Sequence, residues 1–289
     1  MNHKLYVLIL NILPKKTGHK IVYYKYLHKK LNLNNPLSLN EKVHWLSINY
    51  YGKKEVLLFD KQNVKEYINK LNIKDLHVPK TYYVISSKKD KEEVLKNNLP
   101  NKFVIKTNHG AGDVFICNNN SKEDIEIFID KELKLLKKDY SKKYLEYHYS
   151  FIKPVVMIEE YLDDKKNFTP TDYKFFCFDG YVDCVMICSD RSNKNYRDFY
   201  DKNWNHLNYS IKSRQSKTKI EKPKNIDKMF KIASIISKGF PLVKVDLYNI
   251  NGKIYFGELT FTPAAGIADH YSEEGNIHLG KLININKLK

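Results

Sequence analysis

Residues 244–261 read KVDLYNINGKIYFGELTF, and this stretch decides the fold of the chain. Two apolar runs each carry one acid, Asp246 and Glu258, and Asn251-Gly252 lies between the runs. An Asn-Gly pair flanked by such runs is a strong signal for a tight hairpin turn. We therefore predict a β-hairpin whose paired strands bring both carboxylates to one face of the sheet.

Two carboxylates on a rigid hairpin suit Mg²⁺, which takes one or two protein carboxylates and completes its coordination with water and substrate phosphate. Acids inside apolar strands are also costly unless they are paired or bound to a metal. The hairpin therefore predicts a magnesium site in an enzyme that uses a nucleoside triphosphate. A glycosidase acid pair is less well supported, because opposed hairpin residues lie closer than the roughly 5 Å that such mechanisms need.

The composition is that of a globular protein with a basic surface. The 289 residues carry a formal charge of +17, and they fit one large domain or two to three packed subdomains. The only arginines are Arg191, Arg197 and Arg214, and the lysines are scattered. We therefore expect no nucleic-acid partner, because such proteins cluster their basic residues. A basic surface would suit acidic or phosphorylated substrates.

The cysteines and the first residues indicate the compartment. The four cysteines form no C-x-x-C pair and lie in three apolar runs, which favours free thiols in a reducing environment. Residues 5–13 are apolar but too few to span a bilayer, which takes about 20 residues. They also lack a cleavage site. We expect a cytoplasmic protein whose amphipathic start would allow weak peripheral association with a membrane.

The order of predicted elements indicates an α+β protein. Residues 1–78 are expected to be mostly helical, with a capping box at Ser38 and Glu41 and a further helix beginning at Asp60. Strands are predicted at 81–85, 103–106, 114–117 and 155–162, a helix after Ser121, a hairpin at Asp179-Gly180 and a helix at 226–237. A polar break at 163–171 divides the remainder into two subdomains, 79–162 and 163–289, with a cleft between them.

Lys106 ends a predicted strand and precedes a loop of small residues, 107–113. Backbone amides freed by Gly110 and Gly112 can form an anion-binding concavity. The order differs from a Walker A loop, in which the lysine follows the glycines. Lys106 is therefore a candidate phosphate ligand, with a solvated lysine before a turn as the alternative.

Five further residues are candidates by position. Glu159 and Glu160 close an apolar strand, whose edge could pair with an adenine ring or simply begin an acidic loop. Alternation places Asp172 and Lys174 on one face of the next strand, facing either ribose and phosphate or water. Arg191 follows a long apolar strand that would carry it into the cleft.

In this order the segments resemble the TupA-like ATP-grasp proteins of teichuronopeptide and capsule gene clusters. The resemblance covers about residues 30–280. Its segments are NPLSLNEKVHWL (35–46), Asp60-Lys61, FVIKTNHGAG (103–112), MIEEYL (157–162), DYKFFCFDG (172–180) and KVDLYNINGKIYFGELTF (244–261). Each segment alone is weak, but all six in order are specific. The resemblance implies an ATP-grasp fold, in which two α+β subdomains grip ATP after an N-terminal region.

The resemblance also implies a role for each candidate. The residues that would bind ATP are the phosphate lysines Lys61 and Lys106, the covering loop with His109, Gly110 and Gly112, the adenine hinge with Glu159, Glu160 and Leu162, and the ribose acid Asp172 with Lys174 beside it. Asp246 and Glu258 look like the Mg²⁺ ligands. Two positions depart from the common pattern: Thr260 replaces an asparagine ligand, and Lys244 replaces an arginine, whose bidentate geometry a lysine lacks.

The implied reaction is ligation of a carboxylate to an amine, with Lys244 and Arg191 as the catalytic cations nearest an acyl phosphate. The implied substrates are a sugar acid, carried on a nucleotide or lipid, and a small amine, in polysaccharide biosynthesis. The alternatives are a sugar kinase or a glycosyltransferase of the same pathway, although no D-x-D motif occurs. A non-catalytic nucleotide-binding scaffold is a third reading, which Thr260 favours and the retained lysines and acids oppose.

Overall fold

The computed structural model describes residues 6–7, 10, 12–109, 114–164, 170–189 and 194–288. The helices are α1 (Lys15–Leu27), α2 (Leu39–Asn49), α3 (Lys53–Phe59), α4 (Val64–Lys70), α5 (Lys88–Lys96), α6 (Lys122–Leu135), α7 (Ser141–Tyr144), α8 (Ile226–Ile236) and α9 (Glu273–Lys281). The strands are β1 (Leu76–His77), β2 (Thr81–Ile85), β3 (Lys102–Thr107), β4 (Val114–Asn118), β5 (Val156–Glu160), β6 (Asp172–Phe178), β7 (Tyr181–Ser189), β8 (Tyr196–Tyr200), β9 (His206–Leu207), β10 (Val243–Ile250) and β11 (Lys253–Thr260). Within these ranges, no helix is long and apolar enough to cross a membrane.

The smaller sheet has four antiparallel strands in the order β2-β5-β3-β4. In β3, alternate residues Phe103 and Ile105 are buried, and they pack with Ile125 and Ile129 of α6. Helix α6 begins as predicted, because the Ser121 side chain accepts a hydrogen bond from the backbone of the third helical residue. This half of the molecule is therefore an antiparallel sheet covered by helices on one face.

The larger sheet has seven strands in the order β1-β11-β10-β6-β7-β8-β9, and all its pairings except β1–β11 are antiparallel. One face packs against α8 through residues such as Phe175 and Val245. On the opposite face, the C-terminal half of β6 is apolar, and its residues Phe176 and Phe178 pack in the core around α2. The N-terminal half of β6 places Asp172 and Lys174 on the same face, so this strand contributes both to the core and to a polar site.

The predicted helical region is tied to the larger sheet. Helix α2 begins at the predicted capping box, where the Ser38 hydroxyl caps the Glu41 amide and the Glu41 carboxylate accepts from the Ser38 amide. Two details differ from the prediction. Asp60 begins a turn, and α4 begins only at Val64. Strand β1 lies within the range predicted as helical and pairs with β11.

Candidate active site

The predicted hairpin is confirmed, but its two acids meet because of a β-bulge at Gly257. In the register set by the turn, Asp246 would lie opposite Gly257. The register instead shifts between Asp246 and Leu247, and Asp246 pairs with Glu258. A bulge inserts one extra residue into one strand, which turns the following side chain to the other face. A Cβ on Gly257 would lie 2.9 Å from the Asp246 carbonyl oxygen, so the bulge requires glycine.

Three strands bring a charged row together on this face. Asp246 of β10 lies between Lys174 of β6 and Glu258 of β11. The Lys174 ammonium donates to the carboxylates of both Asp246 and Asp172. Burial alone would lower the pKa of Lys174, but the surrounding carboxylates raise it well above its usual value. Lys174 is therefore a fixed cation at the centre of the site.

The two predicted metal ligands have different electrostatic surroundings. Burial would raise the pKa of Glu258, but Lys61, Lys244 and Lys174 lower it to about 2. Burial raises the pKa of Asp246, although the same Lys174 and Lys244 oppose the shift. Glu258 also accepts a hydrogen bond of 3.1 Å from the hydroxyl of Thr260. Glu258 is thus held as an anion by cations from three different segments.

The donor set fits a magnesium ion. Asp246 is 1% exposed, and its Oδ1 atom has no hydrogen-bond partner among the residues the structure describes. Across those same ranges, no cluster of three or more His, Cys, Asp or Glu side chains is placed to hold a metal. Two carboxylates, with water and phosphate supplying the other ligands, are the usual protein contribution to a Mg²⁺ site. Asp246 and Glu258 are the residues that would hold the ion.

Glu159 lies between two lysines that come from different elements. Its carboxylate is 4% exposed and forms ion pairs with Lys106 and Lys65. Burial would raise its pKa, but the two lysines lower it. Lys65 is held in turn by the Pro79 carbonyl at 2.9 Å and the Thr81 hydroxyl at 2.7 Å. The Glu159 carboxylate is therefore engaged in orienting Lys106, and its place in the adenine hinge stays a prediction.

The turn that carries Lys61 is fastened to the end of β3 by Asn108. The Asn108 amide nitrogen donates to the Asp60 carboxylate and the Lys153 carbonyl, each at 3.0 Å. Its amide oxygen accepts from the Val155 backbone at 2.9 Å, and its carbonyl accepts from the Lys61 backbone at 3.4 Å. This network joins the Lys61 turn to the strand that ends with Lys106.

The same charged groups interact electrostatically with Lys61. Burial lowers its pKa, and the strongest charges acting on it are those of Glu258, which raises the pKa, and Lys106, which lowers it. The two predicted phosphate lysines thus lie close enough to repel each other, with a predicted metal ligand beside them. Binding of a polyphosphate would relieve that repulsion.

The Asn108 network leads to a stability prediction. Asn108→Ala should lower the free energy of unfolding by about 2–4 kcal/mol, because the Asp60 carboxylate loses one of its donors and the Lys153 carbonyl and the Val155 amide lose this partner. Urea unfolding measures this change. Asn98→Ala, at an exposed position, is the matched control and should change stability by less than about 0.5 kcal/mol. A loss below about 1 kcal/mol in Asn108→Ala would show that the network is not a structural anchor.

The adenine hinge remains a prediction, and a cavity lies where it is expected. The cavity is about 250 Å³ and separates residues 160–163 from the β10–β11 turn. Its lining includes Glu160 and Leu162 on one side and Ile250 and Tyr255 on the other. Ligand sites are frequent at such interfaces between subdomains. Glu160 is also tied to the smaller sheet, since its carboxylate accepts from the Lys80 backbone at 3.0 Å.

The structure describes two of the remaining predicted site residues and leaves three outside its described ranges. His109 is buried, and its ring packs edge-to-face on Tyr140 with centroids 5.1 Å apart, at the base of the predicted covering loop. Lys244 lies at the predicted metal site, with its ammonium 3.6 Å from the Asp246 carboxylate. Gly110, Gly112 and Arg191 fall outside the described residues, so their roles stay predictions.

Sequence reasoning also missed an acid, Glu146. Its carboxylate accepts a hydrogen bond of 2.7 Å from Thr262, just beyond β11, and burial raises its pKa to about 7. Both Glu146 and Glu258 act on Tyr149, whose pKa burial raises well above its usual value. The surrounding sequence YLEYHYS has no pattern that would have indicated this position.

The Lys106 ion pair leads to a binding prediction. Lys106→Ala should weaken ATP binding about ten- to a hundredfold, which corresponds to the loss of one charge-assisted contact to phosphate. Isothermal titration calorimetry measures the affinity. Lys65 still pairs with Glu159 in this variant, so the fold should persist. Lys96→Ala, an exposed lysine at the end of α5, is the control. An unchanged affinity in Lys106→Ala would remove this lysine from the phosphate site.

The fold and the site together define an ATP-grasp protein. The TupA-like ATPgrasp family profile matches residues 41–284. The chain therefore belongs to the TupA-like ATPgrasp family, as its sequence segments predicted. No curated protein matches the chain.

Solved structures are similar to the chain at low identity. D-Alanine-D-alanine ligase from Helicobacter pylori is 14% identical, with a TM-score of 0.51 over 85% of this chain and 69% of that one. L-Amino acid ligase from Bacillus licheniformis is 11% identical, with a TM-score of 0.47 over 89% of this chain and 57% of that one. ATP-grasp ligase PsnB, in a complex with Mg and ADP, is 13% identical, with a TM-score of 0.42 over 86% of this chain and 66% of that one. The chain thus spans little more than half of the L-amino acid ligase.

Proposed function

We propose that this protein is an ATP-dependent carboxylate–amine ligase that forms an amide on a sugar acid of the uronic type. It would act in capsular or cell-surface polysaccharide biosynthesis. The observation that carries the proposal is the row of charged residues Lys174, Asp246 and Glu258, in which the charges of Lys61 and Lys244 stabilise the Glu258 anion. The names of the structural neighbours support ligation, and the TupA-like family supports a sugar acid as the acceptor.

The first step needs cations around a transferring phosphoryl group. An oxygen of the substrate carboxylate attacks the γ-phosphorus, the bond to the β-phosphate oxygen breaks, and ADP leaves. Catalysis of such a step is mostly positioning and charge stabilisation. The Asn108 network holds the backbone at Lys61, and Glu159 orients the ammonium group of Lys106 before ATP arrives. Mg²⁺ held by Asp246 and Glu258 would neutralise charge on the phosphates.

The second step forms the amide. The amine attacks the acyl carbon, the bond to the phosphate oxygen breaks, and the amine loses a proton as phosphate leaves. Negative charge develops on the acyl oxygen, and a nearby cation stabilises it. We assign this role to Lys244, because its ammonium lies 3.6 Å from the Asp246 carboxylate. Arg191 is the second cation that we assign to this step.

Label transfer tests the reaction. A uronic acid carrying heavy oxygen in its carboxylate should deliver one labelled atom to inorganic phosphate, because that oxygen bridges the two groups in an acyl phosphate. ADP release should require both the acid and an amine, and a screen of both should give a product one water lighter than their sum. ADP release with a neutral sugar, with no free phosphate, would indicate the kinase instead. Transfer of a sugar from a nucleotide-sugar would indicate the glycosyltransferase.

A further inference from the structure

Helix α1 lies before the family match, which begins at residue 41, and it has two unlike faces. Its inner face is buried through residues such as Val22 and Tyr23. Its outer face exposes Lys20, Ile21 and Tyr24, and Tyr24 is 59% exposed. Apolar and aromatic side chains therefore share an exposed helix face with a lysine, which is the pattern of a helix that lies at an interface.

The outer face borders a large cavity. The cavity is about 860 Å³, and its lining combines aromatic, aliphatic and cationic side chains. The lining includes Tyr6, Lys20, Ile21, Tyr24, Lys30 and Leu31. Lys25, also in the lining, places its ammonium 3.5 Å from the centroid of the Tyr6 ring. The cavity could hold apolar groups inside while the lysines at its walls bind negative charge.

The charged side chains of the first forty residues are all basic. The first forty residues contain seven lysines and no aspartate or glutamate. Six of those lysines are exposed in or next to α1, at positions 15, 16, 20, 25, 29 and 30. Each lysine near an anionic membrane surface adds to the attraction, and the contributions sum over a cluster. The region is therefore a basic patch, unlike the scattered lysines elsewhere in the chain.

We propose that α1 and this cavity dock the protein on a membrane surface rich in acidic phospholipid, with Ile21 and Tyr24 in the interfacial layer. Nucleic acid is a poorer fit, because the first forty residues have no arginine and the cavity wall is partly aliphatic. Ile12, which is 76% exposed, adds a further apolar contact near the patch. Tyrosine is also favoured at the level of lipid headgroups.

Vesicle sedimentation tests the docking. The full chain should bind vesicles in which a third of the phosphatidylcholine is replaced by phosphatidylglycerol, and it should not bind phosphatidylcholine alone. Combined Lys20→Gln, Lys25→Gln and Lys30→Gln should weaken this binding about a hundredfold. Combined Lys217→Gln, Lys219→Gln and Lys224→Gln removes the same charge from exposed positions elsewhere and should keep most of the affinity. ADP release without vesicles should be the same in both variants.

Several results would overturn the proposal. One is failure of the unaltered protein to bind the anionic vesicles. Another is an equal loss of binding in the two triple variants, which would mean that net charge alone attracts the protein. Combined Ile21→Ser and Tyr24→Ser should also weaken binding, and unchanged binding would exclude insertion of this face. A concentration-dependent dimer, abolished by the α1 lysine changes, would assign the face to a second copy of the chain.

Discussion

Glu258→Gln is expected to lower ATP-dependent release of ADP by about a thousandfold or more. Glu258 is held as an anion by Lys61, Lys244 and Lys174, and it lies directly across the hairpin from Asp246. Glutamine keeps the shape but loses the charge and one metal-binding oxygen. A coupled assay for ADP, run at saturating magnesium and ATP with the acid and amine present, measures the effect.

The control for this variant separates charge loss in the site from charge loss elsewhere. Glu221→Gln makes the same change at an exposed position and should leave ADP release unaltered. Thermal unfolding of both variants establishes the temperature at which each is folded, because Glu258→Gln removes one of the carboxylates that balance the neighbouring lysines. Near-normal ADP release by folded Glu258→Gln would refute the metal assignment.

Gly257→Ala is expected to lower stability by about 1–3 kcal/mol and ADP release by about a hundredfold. The added methyl group would lie 2.9 Å from the Asp246 carbonyl oxygen and 3.1 Å from the Tyr248 ring. The strands must then separate, or the bulge must move, and either change displaces Glu258 from Asp246. Urea unfolding and the same ADP assay measure the two effects.

Gly52→Ala is the matched control for this variant. A Cβ on Gly52 meets no described atom closer than 3.7 Å, so the change in stability should be only that of replacing an N-cap glycine, about 1 kcal/mol or less, with ADP release unaltered. If Gly257→Ala were as stable and active as the unaltered protein, the bulge would not be what sets the position of Glu258. Comparing the two variants separates the effect of the close backbone contact at Gly257 from the general effect of replacing glycine by alanine.

Elements with strong local signals were predictable from the sequence. The Asn251-Gly252 turn, the Ser38 capping box and the strand at 81–85 all occur as expected. Each depends on residues within a few positions of one another, so the local sequence contains the whole signal. The apolar runs also predicted strands that belong to both sheets, because alternate buried residues mark a strand with one face on a core.

The details that complete the site were not predictable in this way. An Asn-Gly turn fixes pairing near itself, but it does not indicate a bulge at Gly257. The pairing of Lys65 with Glu159 joins residues that are far apart in the chain and lie on different elements. Strand β1 has only two residues, too few for any periodic pattern, and forms because β11 offers an edge beside it. These features depend on tertiary contacts.

A crystal grown with manganese and a non-hydrolysable ATP analogue tests the central assignment most directly. Manganese replaces magnesium in oxygen sites and scatters anomalously. Its position can therefore be determined from the anomalous signal without any assumption about its ligands. We expect an anomalous peak between the carboxylates of Asp246 and Glu258, with the phosphates directed toward Lys61 and Lys106. A nucleotide bound elsewhere, or a metal that contacts neither carboxylate, would contradict the account.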